Sequence, residues 1–219
     1  MTIVAVLECN LSYHGRSPHR PQQEIQQYMH YLESLLDNLD RSREQLLVAL
    51  ENLPDEALLT PNVVGDMSIA DCLALQTAWE AELVTGYMRL DQGQKPENLL
   101  QALGHPADYN RERLIENRER DLDAIFDDFQ HVRLQIEEWL EVFSEKDFMS
   151  PRRFTWFLGR SLAQITALLT YEREADYIPA IEAFAAQWAD EYPAPPTDLL
   201  IPLTAVSLEE HSDEPDQPD

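Results

Sequence analysis

The chain has 219 residues, of which 41 are acidic and 16 are basic, so its formal net charge is −25. This length predicts one domain, or one domain with a tail, and a hydrophobic content of 44% is ordinary for a globular protein. A surface this negative repels phosphate backbones and anionic lipid heads, so we expect neither nucleic acid nor a membrane as a partner.

The two cysteines, Cys9 and Cys72, form no Cys-x-x-Cys motif and no Cys/His cluster. This argues against a disulfide scaffold or a zinc–thiolate site and is typical of a reducing cytoplasm, where we expect the protein to reside. Cys72 is interpreted as a small hydrophobic residue on a helix rather than a reactive thiol. No run approaches the roughly 18 apolar residues that a membrane span requires.

Both ends of the chain differ from its middle. Residues 1–21 are predicted to form an N-terminal arm with a strand-like or loosely docked start, and residues 191–219 a Pro-rich acidic tail. The last eleven residues carry six acids and no base, so −19 remains on the rest, and their composition predicts disorder. Residues 199–208 are apolar and are predicted to dock back on the folded domain or to act as an interaction segment.

The first two of four predicted helices precede residue 90. Residues 22–53 show apolar side chains in steps of three and four, which predicts one buried stripe, and Pro54 ends the helix. The second helix begins after Gly65, where Ser68 is predicted to cap free backbone donors, and it continues to about Arg89.

The other two predicted helices are longer or less regular. The third covers about residues 108–143, roughly 50 Å, and we expect a bend near residues 118–121. The fourth covers about residues 159–188 and contains Pro179, which should kink it because proline removes a backbone donor and crowds the preceding turn. Four amphipathic helices predict an all-α, antiparallel four-helix bundle over residues 22–190.

Motifs that would name a reaction are absent. The sequence has no P-loop, no Gly-x-Gly-x-x-Gly turn, no Gly-x-Ser-x-Gly elbow and no His-Glu-x-x-His. A di-iron bundle needs two Glu-x-x-His pairs, whereas the sequence offers only Asp-Phe-Gln-His at residues 128–131. The six histidines are scattered and are interpreted as surface or packing residues, so we expect no metal and no other cofactor.

Polar residues interrupt the apolar stripes of the second and fourth helices. Gln76, Trp79 and Glu80 lie near the apolar face of the second helix, and residues 172–177 (Glu-Arg-Glu-Ala-Asp-Tyr) lie in the middle of the fourth. Burying such groups unpaired costs about 1–3 kcal/mol each, so they must find partners. Two interpretations stay open, a buried polar network with interhelix ion pairs or a polar pocket whose mouth Trp156 would line.

Residues 67–80 (MSIADCLALQTAWE) resemble the second helix of DinB-like four-helix bundles, where this pattern accompanies a metal-binding histidine. Residues 117–122 (NRERDL) and 144–148 (SEKDF) are similar to the branch of DinB-like proteins that contains DfsB and the colibactin self-protection proteins. The Trp-x-x-Gly-Arg pattern at residues 156–160 also fits that branch. Together these motifs extend the resemblance over about residues 22–188.

The resemblance implies that the family's histidine triad is replaced in this chain. Its positions correspond to Leu75, Arg173 and Tyr177; leucine cannot coordinate a metal, and an arginine would repel one. We therefore expect the metal site to be lost, together with the thiol-transferase or isomerase chemistry of metal-dependent relatives.

The colibactin self-protection branch also lacks that triad and is associated with opening strained electrophilic rings by adding water. The resemblance implies that this chain binds a small reactive organic molecule and, as one version, hydrolyses it without metal. The candidate catalytic residues are Glu80 or Glu174 as base and Tyr177 as proton donor. The candidate ligand-binding residues are Gln76, Trp79, Trp156, Arg160 and Arg173.

Other interpretations remain beside this one. For Arg173 we favour the simpler role of an ion pair with an acid that holds two helices together. The bundle could also sequester a ligand without turnover, or bind a basic protein partner through its negative face or residues 199–208. The sequence leaves open whether the protein is a monomer or a homodimer.

Overall fold

The computed structural model describes residues 20–193. In chain order its α-helices are α1 (Arg20–Leu50), α2 (Asp55–Leu58), α3 (Ile69–Asp91), α4 (Glu97–Gly104), α5 (Pro106–Asn117), α6 (Leu122–Leu140), α7 (Glu145–Met149), α8 (Leu162–Leu169) and α9 (Tyr171–Glu191). Within residues 20–193 there is no strand, only an isolated bridge between Val64 and Met67. The predicted strand-like start, nearly all of the acidic tail and residues 199–208 lie outside the described residues.

Four long helical units make up the bundle, and the predicted all-α fold is confirmed. The units are α1, α3, the pair α5 and α6, and the pair α8 and α9. α3 packs chiefly on α6, and α1 packs chiefly on α9. The short helices α2, α4 and α7 lie in the connections between units. Among the helices of residues 20–193, none combines the length and the apolar character needed to cross a membrane.

The predicted start of the second helical unit is confirmed. Ser68 is the N-cap of α3: its Oγ accepts a hydrogen bond from the Asp71 N–H at 3.1 Å, and Asp71 Oδ2 accepts one from the Ser68 N–H at 2.9 Å. This reciprocal capping box satisfies two backbone donors that the first turn of a helix leaves unpaired. Gly65, with φ +66°, makes the left-handed turn that precedes it.

The predicted bend in the third unit is a complete break. α5 ends at Asn117 and α6 begins at Leu122, so the interruption covers the expected residues. Asp121 caps α6, because its Oδ1 accepts a hydrogen bond from the Asp123 N–H at 2.9 Å. The cap satisfies a backbone donor at the start of α6, and α5 and α6 both pack on α3.

The fourth unit has a break that the sequence did not predict. It lies at Thr170, whose φ of −115° and ψ of −107° are not helical, whereas α9 is one continuous helix across Pro179, where the kink stays a prediction. The Thr170 Oγ1 donates to the Thr166 carbonyl at 2.7 Å, and the Arg173 N–H turns to the Thr170 carbonyl at 3.1 Å. In an unbroken helix that N–H would reach the Leu169 carbonyl, which is therefore free for another donor.

The core consists of two apolar clusters that follow one another along the bundle. The first includes Leu39, Trp79, Ile136 and Leu162, and the second includes Leu46, Leu73, Phe129 and Ile181. On α1, α6 and α9, one buried charged residue lies between side chains of the two clusters. The interior of the bundle is therefore divided by a charged layer.

Candidate functional site

Four charged side chains meet inside the bundle, one from each helical unit. Arg43 on α1 and Arg133 on α6 each pair with both Glu80 on α3 and Glu174 on α9. The glutamate side chains have no exposed surface, and those of Arg43 and Arg133 are only 10% and 6% exposed. We call these four residues the buried ion network.

The two glutamates of the buried ion network are not equivalent. Both oxygens of Glu80 accept hydrogen bonds from Arg43, at 3.0 and 3.1 Å, and its Oε1 also accepts one from Arg133 at 2.6 Å. Glu174 uses only Oε1, which accepts from Arg43 at 2.7 Å and from Arg133 at 2.8 Å. Its Oε2 is buried and accepts no hydrogen bond from any described residue.

Gln76 connects this network to the helix break. Its Nε2 donates to Glu80 Oε1 at 2.8 Å and to the Leu169 carbonyl at 3.1 Å. The second bond satisfies the carbonyl that the interruption at Thr170 leaves without a helical partner. The side chain of Gln76 is fully buried and so serves both the ion network and the backbone.

The network has no formal net charge, and each member pairs with two residues of opposite charge. Burial lowers the pKa of Arg133, but Glu80 and Glu174 outweigh burial and leave that pKa above its ordinary value. Arg43 gains two further contacts, a hydrogen bond to the Phe129 carbonyl at 2.6 Å and the face of the Phe129 ring 3.6 Å away. The polar-network interpretation is thus confirmed for Gln76, Glu80 and Glu174.

Arg43 and Arg133 are the members of the buried ion network that the sequence analysis missed. A signal was present, because each lies at an apolar-stripe position: Leu39, Arg43 and Leu46 on α1, and Phe129, Arg133 and Ile136 on α6, follow the same steps of four and three. Arginine at such a position indicates a buried partner, since a lone charge there would be expensive.

A second group of side chains lies beside the buried ion network. Trp79 on α3 and Arg173 on α9 directly precede Glu80 and Glu174 in sequence, so each lies on the adjacent face of its helix. The Arg173 guanidinium lies 4.9 Å from the centre of the Trp79 ring and 6.0 Å from that of Tyr177. Asn110 on α5 bridges the pair: its Oδ1 accepts from Trp79 Nε1 at 2.9 Å and from Arg173 Nη2 at 3.4 Å. We call Trp79, Asn110, Arg173 and Tyr177 the Arg173 site.

Arg173 has no acidic partner within residues 20–193, which corrects the ion pair that we favoured for it. Glu80 and Glu174 pair with Arg43 and Arg133 instead. The Arg173 guanidinium therefore lies among aromatic rings. The Arg173 Nε is buried and donates to no described residue, and the buried Tyr177 O–H has no acceptor among the described residues; the polar neighbour of that hydroxyl is the Arg173 guanidinium. Burial raises the pKa of Tyr177, and the nearby Arg173 opposes part of that rise, so the hydroxyl keeps its proton at neutral pH.

Helix α5 covers the Arg173 site without burying any of its own residues. The Tyr109 ring lies 4.4 Å from the Trp79 ring, and its hydroxyl donates to the Ala78 carbonyl at 2.9 Å. Arg113 lies over the other side of Tyr109, 5.3 Å from the ring centre. These aromatic and polar contacts hold α5 in place together with the partly buried Tyr109 and Leu114, which pack against the first apolar cluster.

The three positions that resemblance assigns to the histidine triad fall in two environments. Leu75 lies in the first apolar cluster, whereas Arg173 and Tyr177 belong to the Arg173 site. Nearby Cys72 is buried, and burial raises the pKa of its thiol to about 12. Within residues 20–193 no group of three His, Cys, Asp or Glu side chains could hold a metal ion.

Trp156 and Arg160 belong to neither the buried ion network nor the Arg173 site. Trp156 lies in a single 3₁₀ turn, Thr155–Phe157, and stacks on Phe154 with 5.9 Å between ring centres. Arg160 is exposed. Among the described residues, no hydrogen bond, ion pair or ring contact joins either of them to the Arg173 site, so their predicted ligand-binding role stays a prediction.

Two surface grooves stand out, and neither is lined by the Arg173 site. One, of about 310 Å³, lies between α3 and α4 and includes Arg89 and Lys95. The other, of about 980 Å³, lies between the C-terminal ends of α1 and α9.

Comparison with known proteins gives a family and a fold. The family model described as the DinB superfamily matches residues 38–175. Among solved structures, the chain is similar to an uncharacterised protein from Escherichia coli UTI89, with 15% identity and a TM-score of 0.58 over 73% of this chain and 93% of that chain. At this identity the likeness shows the fold alone. No curated protein matches the sequence significantly.

Proposed function

The chain belongs to the DinB superfamily, and we propose that its bundle binds a small organic molecule at the Arg173 site. In this proposal Arg173 and the Tyr177 hydroxyl donate hydrogen bonds to an acceptor oxygen of the ligand, while Trp79 contacts its apolar part. The ligand class is therefore a small molecule with both an oxygen acceptor and an apolar body.

The observation that carries the proposal is the state of Arg173. A half-buried guanidinium without an acidic partner among the described residues is unfavourable for folding alone, because desolvating a charge is not repaid. The partnerless Nε of Arg173 and hydroxyl of Tyr177 add two donors without acceptors in the same place. Local rules of this kind are broken mainly where a protein needs the arrangement for function.

The family resemblance supports the location. It assigns the positions of two of the metal-binding histidines to Arg173 and Tyr177, so the ligand would occupy the part of the bundle where relatives hold their metal. The resemblance to the self-protection branch favours a reactive molecule, such as one with a strained electrophilic ring, as the ligand in a detoxification or self-protection role.

The hydrogen bonds of Asn110 indicate how the ligand would bind. Its carbonyl oxygen already accepts from Trp79 and Arg173, so it stands where an acceptor atom of the ligand would lie. α5 carries Asn110 and has no fully buried residue of its own, so it is the helix that would move; the Trp79 ring that it covers would then contact the apolar part of the ligand in place of Tyr109. Ligand binding would then replace the Asn110 contact with a stronger one to the charged guanidinium.

The test is a thermal-shift screen of small carboxylates, phosphate esters and epoxides against the wild-type protein and Arg173→Met. Hits that raise the melting temperature of the wild type should bind the variant at least about tenfold more weakly, since a hydrogen bond to a charged group contributes about 1.5–3 kcal/mol. Tyr177→Phe removes one oxygen and should weaken the same hits less strongly.

Arg111→Met is the matched control, because Arg111 lies on the same covering helix but is exposed and pairs only with Asp108. It should bind every hit as the wild type does. Hits that bind Arg173→Met and Tyr177→Phe unchanged, or no hit across the library, would overturn the proposal and favour the interaction-module alternative.

One observation supports metal-independent hydrolysis as a second candidate. Glu174 Oε2 is a buried carboxylate oxygen without a hydrogen-bond partner among the described residues, whereas both Glu80 oxygens are occupied by arginine. Glu174 is therefore the better of the two candidate bases for activating a water molecule. Turnover of any screened epoxide to its diol should disappear in Glu174→Gln; hits that bind without product formation would leave sequestration as the function.

A further inference from the structure

The groove between the C-terminal ends of α1 and α9 is largely apolar and has a volume of about 980 Å³. We call it the C-terminal groove. Its main apolar lining residues are Val48, Leu53 and Pro54 on one side and Ala185, Trp188 and Tyr192 on the other. Val48 is 64% exposed and Tyr192 61% exposed. A continuous apolar surface of this kind in a soluble bundle is characteristic of a binding surface.

Aromatic residues lead along α9 to the end of this groove. Phe184 and Trp188 lie 5.8 Å apart, and Trp188 and Tyr192 stack with 4.5 Å between ring centres. Tyr192 is the C-cap of α9 and Pro193 follows it, so the chain passes out of the described range at the groove itself. Whatever follows Pro193 starts within reach of the apolar lining.

Charge limits what the groove can hold. Its ionisable lining residues, Glu56 and Glu182, are both acidic. The chain itself carries a formal charge of −25, so a second copy would approach against strong repulsion. The groove therefore favours an occupant without negative charge. It also favours a segment that is already tethered to the bundle, because a short linker gives an effective concentration of the order of millimolar.

Residues 199–208 (LLIPLTAVSL) meet these requirements. They contain no charged side chain and seven apolar ones, and only residues 193–198 separate them from Tyr192. Six residues span at most about 20 Å, enough to cross the end of the groove but not to reach the far end of the bundle. The six acids of residues 209–219 would be repelled by Glu56 and Glu182, so only the uncharged part suits the groove.

We propose that residues 199–208 pack into the C-terminal groove of the same chain and cover Val48, Trp188 and Tyr192. The test is hydrogen exchange of the full chain and three variants. One variant lacks residues 199–219, one lacks only residues 209–219, and one is the full chain with Leu200→Asp, Ile201→Asp and Leu203→Asp. The second variant is the matched control, because it removes the acids and keeps the apolar segment.

Amides of residues 48–56 and 184–192 should exchange at least about tenfold faster in the first and third variants than in the full chain. The variant lacking residues 209–219 should match the full chain, and α6 should exchange equally in all four proteins, which shows that the bundle is intact. Equal exchange of the groove amides in all four proteins would overturn the proposal.

A second measurement separates the chain's own segment from another copy. Val48→Cys and Leu203→Cys, combined with Cys9→Ser, should form a crosslink within one chain under oxidation, at a yield that stays constant over a hundredfold dilution. Crosslinked dimers that disappear on dilution would make the groove an interface between copies. Absence of any crosslink in the folded protein would also count against the proposal.

Discussion

Arg43 and Arg133 determine what the neighbouring glutamates can do. Each arginine reaches both Glu80 and Glu174, so the four helical units are joined through one set of charges. A buried pair of this kind adds little stability relative to apolar residues, but removing one partner leaves an uncompensated charge. Arg173 is the opposite case, because it has aromatic neighbours and no described acid to pair with.

We expect Arg133→Met to lower the free energy of unfolding by about 3–5 kcal/mol, because Glu80 and Glu174 would then share a single arginine in the interior. Urea denaturation measures the change. Arg111→Met is the control: the Arg111–Asp108 pair is exposed, and such pairs contribute about 0–1 kcal/mol. Equal effects of the two substitutions would show that the network is solvated rather than buried.

Helix α5 and helix α8 differ in how they are held. α5 has 12 residues and none is buried, whereas α8 has 8 residues, most of them buried, among them Leu162, Ile165 and Leu169. Helices this short are marginal in isolation, so packing decides their stability. Local opening of α5 while the rest of the bundle stays folded is what the proposed ligand binding at the Arg173 site would require.

We expect backbone amides of α5 to exchange at least about tenfold faster than those of α8 under native conditions, because none of the α5 residues is fully buried whereas most of the α8 residues are. Hydrogen exchange followed by mass spectrometry gives both rates in one experiment. Because α8 is the shorter helix, slower exchange in α8 would be explained by the burial of its residues and not by helix length. Protection of α5 equal to that of α8 would contradict its role as a movable cover.

At the scale of the whole molecule, the excess of acids is a surface property. The interior network is neutral, so the charge of −25 must be carried by groups near solvent and by the chain ends. Like charges on a compact body repel one another and favour unfolding, and dissolved salt screens exposed charges more than buried ones.

We expect the melting temperature to rise with NaCl at neutral pH, by about 2–4 °C for each kcal/mol of repulsion removed. Calorimetry at low and moderate salt measures the effect. The chain without residues 209–219 carries six fewer negative charges and should show a smaller rise. A melting temperature that falls with salt would mean that surface ion pairs outweigh the repulsion.

Much of the fold could be predicted from local patterns. The apolar steps of three and four identified the four helical units, and Ser68 and Asp71 identified the start of α3. The length of the third predicted helix indicated a bend near residues 118–121, where the structure has the break before α6. The break at Thr170 was missed because it depends on a partner far along the chain, Gln76, which takes up the carbonyl of Leu169.

By itself the sequence determined the helical architecture, the acidic surface and the places of Gln76, Glu80 and Glu174 within apolar stripes, because these depend on composition and on spacing within one helix. Only the tertiary structure decided the partners. Glu80 and Glu174 could have paired with Arg173, but the packing of α1 and α6 places Arg43 and Arg133 within hydrogen-bond distance of both glutamates. Which arginine pairs with which glutamate depends on how separate helices pack together. Periodicity within one helix does not contain that information.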